Sequence, residues 1–354
     1  MGDTMLAAVF KGNGRLELEQ RPVPKVREDT DVILQVGAVG ICGTDLHMLD
    51  VPPKLTGKVG IIMGHEFSGR VTEVGKTVKM VKPGDHVAID PNPPCGMCEN
   101  CRSGLPNACI PHFENEVCPG MPLTPGLYWD GGYAEYVRIP HHFCYRVDKS
   151  LPFWKVSLVE PLACAVSCMK KVSFMPGETA VVLGAGPIGL FFVGLLKASG
   201  ALKVIVSEPA PVRARLAAAC GADVIINPNK ENVKDRVMAE TEGKGAEVVI
   251  EAVGWLFPLC IELARTGGRI ILFGVDTTAR AEIDTTPIIS KELQIYGGFL
   301  TKYVMPLALR ILQSGLLPVE KIVSHKMPLQ KIHEGIALTR TGEGVKVMLI
   351  PNEI

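Results

Sequence analysis

The sequence predicts an α/β protein of two domains, a mostly β first domain followed by a doubly wound parallel-sheet domain. Three observations predict it. Residues 1–156 hold short β-like runs broken by Gly and Pro. Residues 157–295 alternate apolar runs with helical stretches. Within that second region one strand runs directly into a glycine-rich turn and then an apolar helix. A length of 354 residues suits two domains, and residues 296–354 are expected to return to the first of them.

In the first domain the β-like runs include Val32-Ile33-Leu34-Gln35-Val36, Gly69-Arg70-Val71-Thr72-Glu73-Val74 and Tyr133-Ala134-Glu135-Tyr136-Val137. Turn signals such as Lys82-Pro83-Gly84-Asp85 separate them. In the second domain, apolar runs at 179–183, 203–207, 224–226, 247–253 and 269–275 read as buried parallel strands. Helical stretches such as Val212 to Cys220 and Asn232 to Glu242 lie between them. The last segment carries a strand-like run, a helix around Met305–Ser314 and a short C-terminal strand. No internal repeat or low-complexity segment interrupts the pattern.

Composition narrows the function classes. Lys plus Arg is 37 and Asp plus Glu is 37. A balanced charge gives no electrostatic reason to expect nucleic acid or an anionic membrane as partner. No apolar run reaches the roughly 18 residues a bilayer span needs. The N-terminal residues show no secretion pattern, so a cytoplasmic location is expected. In a reducing compartment, the 11 cysteines point to metal binding before disulfides.

The dinucleotide fingerprint stands on its context. The strand Thr179-Ala180-Val181-Val182-Leu183 meets Gly184-Ala185-Gly186-Pro187-Ile188-Gly189, and the apolar helix Leu190 to Ser199 follows. Gly184 makes the tight turn, Gly186 admits the pyrophosphate to the backbone, and Gly189 lets helix and strand pack closely. The helix N-terminus offers its N–H groups to the phosphates. The next strand, Lys203 to Ser207, ends at Glu208. An acid there accepts from ribose hydroxyls and repels a 2′-phosphate, which favours NAD over NADP. Arg213 and Arg215 follow closely, and either is placed to serve a phosphate instead.

Cys95-x2-Cys98-x2-Cys101-x7-Cys109 gathers four thiols in a Gly-, Pro- and Asn-rich stretch. Four thiolates with no open position describe a closed, structural zinc site that staples a loop. A ferredoxin-type cluster run has a shorter last gap and a Pro after its final Cys, whereas Ile110 follows here. Cys118, Cys144, Cys164, Cys168, Cys220 and Cys260 lack ligand spacing and read as small core residues.

A second constellation is scattered along the chain. Cys42, Thr44, Asp45 and His47 fall within six residues, His65-Glu66 follows, and Glu160 comes much later. Together with the dinucleotide fingerprint and the four-cysteine loop, these residues resemble the zinc-containing medium-chain dehydrogenase/reductase family. The stretch Gly64-His65-Glu66-Phe67-Ser68-Gly69, with Gly75 and Val78 downstream, is similar to that family's zinc signature. The resemblance covers essentially the whole chain, and four motifs occur in the family's order. It implies a GroES-like, mostly β catalytic domain, a Rossmann cofactor domain, and a return to the first. It also implies two zinc ions per chain, one catalytic and one structural, with NAD(H) as cofactor.

By that resemblance Cys42 and His65 hold the catalytic zinc, and Glu66 or Glu160 supplies the third ligand or a carboxylate that exchanges with water. Liver-type alcohol dehydrogenases carry Cys at the position of Glu160. A glutamate resembles the sorbitol, threonine and butanediol branch instead. Asp45 would bond His65 from behind, Thr44 would bond the substrate hydroxyl, and His47 would pass its proton to solvent. Val253, Gly274 and Val275, taken as strand ends, would flank the nicotinamide. A dimer or tetramer built through the cofactor domain is implied too.

The chemistry is coherent. Hydride leaves a carbon only as its hydroxyl loses a proton, and a Lewis acid lowers that pKa. A carboxylate-containing ligand set keeps the metal more acidic than two thiolates would. The expected substrate is a secondary alcohol or polyol. An L-threonine 3-dehydrogenase would need a carboxylate anchor that the sequence does not place. A zinc-free NADPH reductase of the same superfamily would lack Cys42, His65 and Glu160, and an NAD(H)-sensing regulator would not need them. Residues 112–130, with Phe113, Met121, Tyr128 and Trp129, form a loop able to cover a pocket, as do Phe299, Lys302 and Tyr303.

Overall fold

The computed structural model describes residues 3–109 and 124–354, which form two compact units. The first unit comprises residues 1–163, 301–313 and 323–354. Its strands are β1 (Thr4–Gly12), β2 (Arg15–Pro22), β3 (Asp31–Gly40), β4 (Glu66–Val74), β5 (His86–Ile89), β6 (Tyr136–Pro140) and β7 (Cys144–Val147). β1 and β2 form an antiparallel pair. β3 is almost wholly buried, as its run of Val, Ile, Leu and Ala requires. It pairs with β4 along one edge and with β6 along the start of the other. The apolar core of this unit gathers Val32, Leu34, Val36, Phe67, Val87, Ile89, Tyr133 and Val137.

The second unit comprises residues 164–300 and 314–322. Its strands are β8 (Thr179–Leu183), β9 (Lys203–Ser207), β10 (Val224–Ile226), β11 (Ala246–Glu251), β12 (Ala264–Leu272) and β13 (Gln294–Gly297). All pair in parallel in the order β10-β9-β8-β11-β12-β13. The order reverses beside β8, the switch point where doubly wound sheets bind nucleotides. The helices Pro187–Ala198, Pro211–Ala219 and Val233–Glu240 connect the strands, the first starting three residues before its expected start and the other two within one residue of theirs.

The chain ends with β14 (Val323–Pro328) and β15 (Lys346–Ile350), separated by the helix Ile332–Thr341. β15 pairs antiparallel with the last residues of β3, Met348 opposite Gly40. This pairing joins residues 323–354 to the first unit, whereas residues 296–300 and 314–322, expected in the first domain, fall in the second.

Three expected boundaries shift. The third β-like run starts as a strand only at Tyr136; Ala134 instead forms an isolated bridge to Ala7 of β1. β11 stops at Glu251 and β12 at Leu272, so Val253, Gly274 and Val275 lie in loops beyond the strands. The Glu251 carboxylate causes the first stop: it accepts the N–H groups of Val253 (3.0 Å) and Gly254 (2.7 Å), which turns the chain out of the sheet. Finally, the units divide after Ala163, inside the helix Val159–Val172, and not at residue 157. A continuous helix carries no compositional break to mark that point.

Candidate catalytic centre and nucleotide site

The catalytic candidates converge where β3 ends and β4 and β15 begin. Gly40, the last residue of β3, is opposite Glu66 of β4 on one side and Met348 of β15 on the other. Cys42 follows two residues after β3 and caps the short helix Gly43–Met48. His65 precedes β4 directly. The ligand atoms of Cys42, His65 and Glu66 all lie within 4.8 Å of one another. His65 and Glu66 are buried, and Cys42 is half-buried.

Glu160, in the first turn of the helix Val159–Val172, is buried nearby but falls outside that group. Its pKa is pushed up to about 7, first by burial and then by the charge of Glu66, with His65 and Lys346 opposing. For His65, burial works against the charged ring, yet Cys42 and Asp45 hold its pKa well above the ordinary imidazole value.

Asp45 is fully buried. Its Oδ2 accepts the N–H of Cys42 at 2.9 Å, and its Oδ1 faces Nδ1 of His65 at 3.6 Å. With Nδ1 turned to a carboxylate, Nε2 is left for a metal. Neither Asp45 Oδ1 nor His65 Nδ1 has a hydrogen-bond partner among the described residues; a cation at Nε2 would keep the ring proton on Nδ1, facing Oδ1. The donor set of thiolate, imidazole and carboxylate suits zinc. Thr44 and His47, three residues apart on the helix Gly43–Met48, share its less buried face. His47 Nδ1 lies 3.7 Å from Asp50 Oδ2.

Three residues of this centre gave no motif in the sequence. Lys346 of β15 is buried, bonds Glu66 directly, and donates to the Ile41 carbonyl at 3.1 Å. Burial opposes its charge, but Glu66 and Cys42 raise its pKa. Its only signal is a lysine inside the apolar run Val345–Ile350. Tyr133 donates its hydroxyl to Asp45 Oδ2 at 2.7 Å. Asp90, buried just after β5, has its pKa raised to about 6 by burial, against the N–H bond from Asn92.

Cys95, Cys98, Cys101 and Cys109 form the second cluster, their sulfurs within 4.8 Å of one another. Cys95–Cys101 and Cys98–Cys109 are each 3.9 Å apart, close to the about 3.8 Å that tetrahedral Zn–S bonds of about 2.3 Å demand. The N–H groups of Met97 and Cys98 donate to Cys95 and lower its pKa to about 6. Tyr303 sets its hydroxyl against Cys101 of this cluster. Tyr128 is buried in the core, and Trp129, half-buried, packs edge-on against Phe143 at 5.2 Å. Cys144, Cys164, Cys168, Cys220 and Cys260 are buried and isolated from both clusters. Phe113, Cys118 and Met121 lie outside the described residues.

In the second unit, β8 meets the glycine turn as the sequence requires. Gly184 has φ +93°, and a Cβ on Gly189 would stand 2.0 Å from the Gly184 carbonyl. Pro187 starts the helix, with Gly186 as its cap and Ile188 in its first turn. Glu208 is buried, and its two carboxylate oxygens accept the N–H groups of Ala185 (2.8 Å) and Ala210 (2.9 Å). It therefore ties the glycine turn to the end of β9, a role the sequence did not reveal. Arg213 is half-buried in the first turns of the next helix. A Cβ on Gly184 would stand 2.8 Å from the Val253 side chain, and one on Gly274 2.2 Å from Gly254 N. Val275 is exposed.

Known proteins share this arrangement. Residues 28–149 match the model of the alcohol dehydrogenase GroES-like domain, and residues 187–314 that of the zinc-binding dehydrogenase. The sorbitol dehydrogenase of Bacillus subtilis is 31% identical over 98% of this chain and 98% of its own length. The D-xylulose reductase A of Aspergillus oryzae is 31% identical over 97% of this chain and 96% of its own. An alcohol dehydrogenase from Escherichia coli CFT073, solved with NADH, is 28% identical with a TM-score of 0.88, covering 99% of this chain and 100% of that one. The chain belongs to the zinc-containing medium-chain dehydrogenase/reductase family, in the branch of the sorbitol and xylulose enzymes.

Proposed function

We propose that this chain is a zinc- and NAD-dependent dehydrogenase that reversibly oxidises a secondary hydroxyl of a polyol (a sugar alcohol, cyclitol or vicinal diol) to a ketone. The observation that carries the reading is the convergence of Cys42, His65 and Glu66 within 4.8 Å, with Asp45 behind His65. Zinc held there supplies a Lewis acid for the substrate hydroxyl, and NAD supplies the hydride acceptor.

The protein's own residues do the rest. Cys42, His65 and Glu66 form the ligand set, and Glu160 is the carboxylate that exchanges with water, which its place just outside the group supports. Asp45 keeps the proton on His65 Nδ1. Lys346 pairs with the Glu66 carboxylate. Thr44 hydrogen-bonds the substrate hydroxyl and relays its proton, giving up its own as it accepts the substrate's. His47, 36% exposed and facing Asp50, moves that proton to solvent. Cys95, Cys98, Cys101 and Cys109 hold the structural zinc. The turn from Gly184 to Gly189 receives the pyrophosphate. The buried Glu208 carboxylate favours ribose hydroxyls over a 2′-phosphate, Arg213 lies beside the adenosine, and Val253, Gly274 and Val275 flank the nicotinamide.

The sorbitol and xylulose relatives support a polyol over L-threonine, and the two metal-ready clusters speak against a zinc-free NADPH reductase. No helix of the described residues is long and apolar enough to cross a membrane. We assign the enzyme to the cytoplasm as a homodimer or homotetramer. Strand β13, at the sheet edge, with Ile295 exposed on it and Ile289 exposed in the helix before it, supports assembly through the second unit.

Turnover of a panel of sugar alcohols, cyclitols, diols and threonine, followed by absorbance of reduced cofactor, tests the reading. Oxidation of a polyol with NAD supports it. Activity confined to threonine, or independent of Cys42, overturns it.

A further inference from the structure

One buried tyrosine stands behind the metal-ready centre with no part in the chemistry described so far. Tyr133 is fully buried, and its backbone is held on both sides: its N–H donates to Met63 O at 2.8 Å, and its C=O accepts from Ala8 N at 2.8 Å. Its ring lies against Gly64, the residue before His65. A Cβ on Gly64 would stand 2.6 Å from the ring, and Gly64 has φ +89°. Tyr133 is thus fitted into the turn that presents His65.

The hydroxyl reaches Asp45 Oδ2 at 2.7 Å, and the same oxygen accepts Cys42 N–H at 2.9 Å. Two donors on one oxygen fix the rotation of the carboxylate. The other oxygen is then turned to His65 Nδ1, 3.6 Å away. Neither atom has another partner among the described residues, so the carboxylate presents its free oxygen to the Nδ1 side of the ring.

We propose that Tyr133 is a positioning residue for the catalytic metal: its hydroxyl, acting through Asp45, sets the tautomer and direction of His65. The proposal rests on the reading that Cys42 and His65 hold zinc. Such outer partners of metal-bound histidines are worth about 10–100-fold in metal affinity or activity.

Tyr133→Phe keeps the ring that fills the space beside Gly64 and removes only the donor. Zinc release from the full-length, zinc-loaded enzyme to excess chelator is timed at both sites, with the four-cysteine zinc as the internal control for folding. The expected result is release from the Cys42 site about 10–100-fold faster, unchanged release from the cysteine cluster, and no further effect in an Asp45→Asn background. Unchanged release from the Cys42 site overturns the proposal, as does an equal added effect in the Asp45→Asn chain. If Tyr133→Phe loses both zincs through misfolding, 3-fluorotyrosine at position 133 preserves the shape and strengthens the donor. Slower release from the Cys42 site then supports the proposal, and unchanged release overturns it. A Cys42→Ser control separates the two layers. If it still holds both zincs, the metal reading itself fails; if it loses one and Tyr133→Phe changes nothing, only the role of Tyr133 fails.

Discussion

Lys346→Met tests the charge balance of the catalytic centre. The Lys346 and Glu66 side chains are each 2% exposed, so almost no solvent screens their attraction. Removing one partner of such a pair strands the other charge in the interior, at a cost of about 3–5 kcal/mol. The Ile41 carbonyl also loses its donor, worth about 1 kcal/mol more. The metal-free variant should therefore lose roughly 4–6 kcal/mol of stability in the first unit. Zinc beside Glu66 supplies a replacement cation, so the zinc-loaded variant should lose less. Adding Glu66→Gln removes the stranded charge and should restore more than half of the loss. Urea unfolding of zinc-free and zinc-loaded protein, followed by circular dichroism, measures each step. A loss under about 1 kcal/mol, or a double variant no more stable than Lys346→Met alone, would show that the pair does not carry this charge balance.

Other expectations follow from the same geometry. Glu208→Gln exchanges a carboxylate that accepts from Ala185 and Ala210 for a weaker partner. It should weaken NAD binding by about 10-fold or more while narrowing the preference over NADP, measured by quenching of protein fluorescence; an unchanged ratio of the two affinities contradicts the role of Glu208. Cys98→Ser should remove one of two zinc ions and leave the Cys42 site loaded, as elemental analysis reports; two remaining zincs would deny the cluster its metal. Asp31 titrates below the usual carboxylate value because the N–H groups of Glu28 and Arg27 and the Arg138 guanidinium outweigh burial, which pushes the other way. Its ionised form therefore stabilises the fold above about pH 4, and that gain is lost as pH falls through the depressed value. Asp31→Asn should cost about 1.5–3 kcal/mol at neutral pH and flatten the acid loss of stability below pH 4; parallel acid curves for the two proteins count against it.

What the sequence disclosed depends on how far each signal reaches along the chain. The starts of β8, β9 and β10 were legible because short apolar runs between helices have few other solutions. The four-cysteine loop was legible because its ligands lie within 15 residues. Cys42, His65 and Glu66 are local motifs, but their meeting depends on β3 and β4 pairing Gly40 with Glu66, which only the family resemblance anticipated. Lys346 and Tyr133 were not legible. Lys346 lies 280 residues from Glu66 and Tyr133 lies 88 from Asp45, and no spacing rule spans such gaps. The ends of β11 and β12 were misplaced because apolar character continues to Val253 and Val275, while the backbone obeys the Glu251 carboxylate and Gly254 at φ +119°. Glu208 was recognised by type and position, yet its bonds to Ala185 and Ala210 depend on side-chain direction, which the sequence does not carry.

Zinc stoichiometry of Cys42→Ser against the unaltered chain, measured on protein that still binds NADH, tests the account most directly. A fall from two zinc ions per chain to one, with the remaining ion on four sulfurs by X-ray absorption, is the result the geometry requires. Two ions retained, with polyol oxidation intact, would mean that Cys42 and His65 hold no catalytic metal.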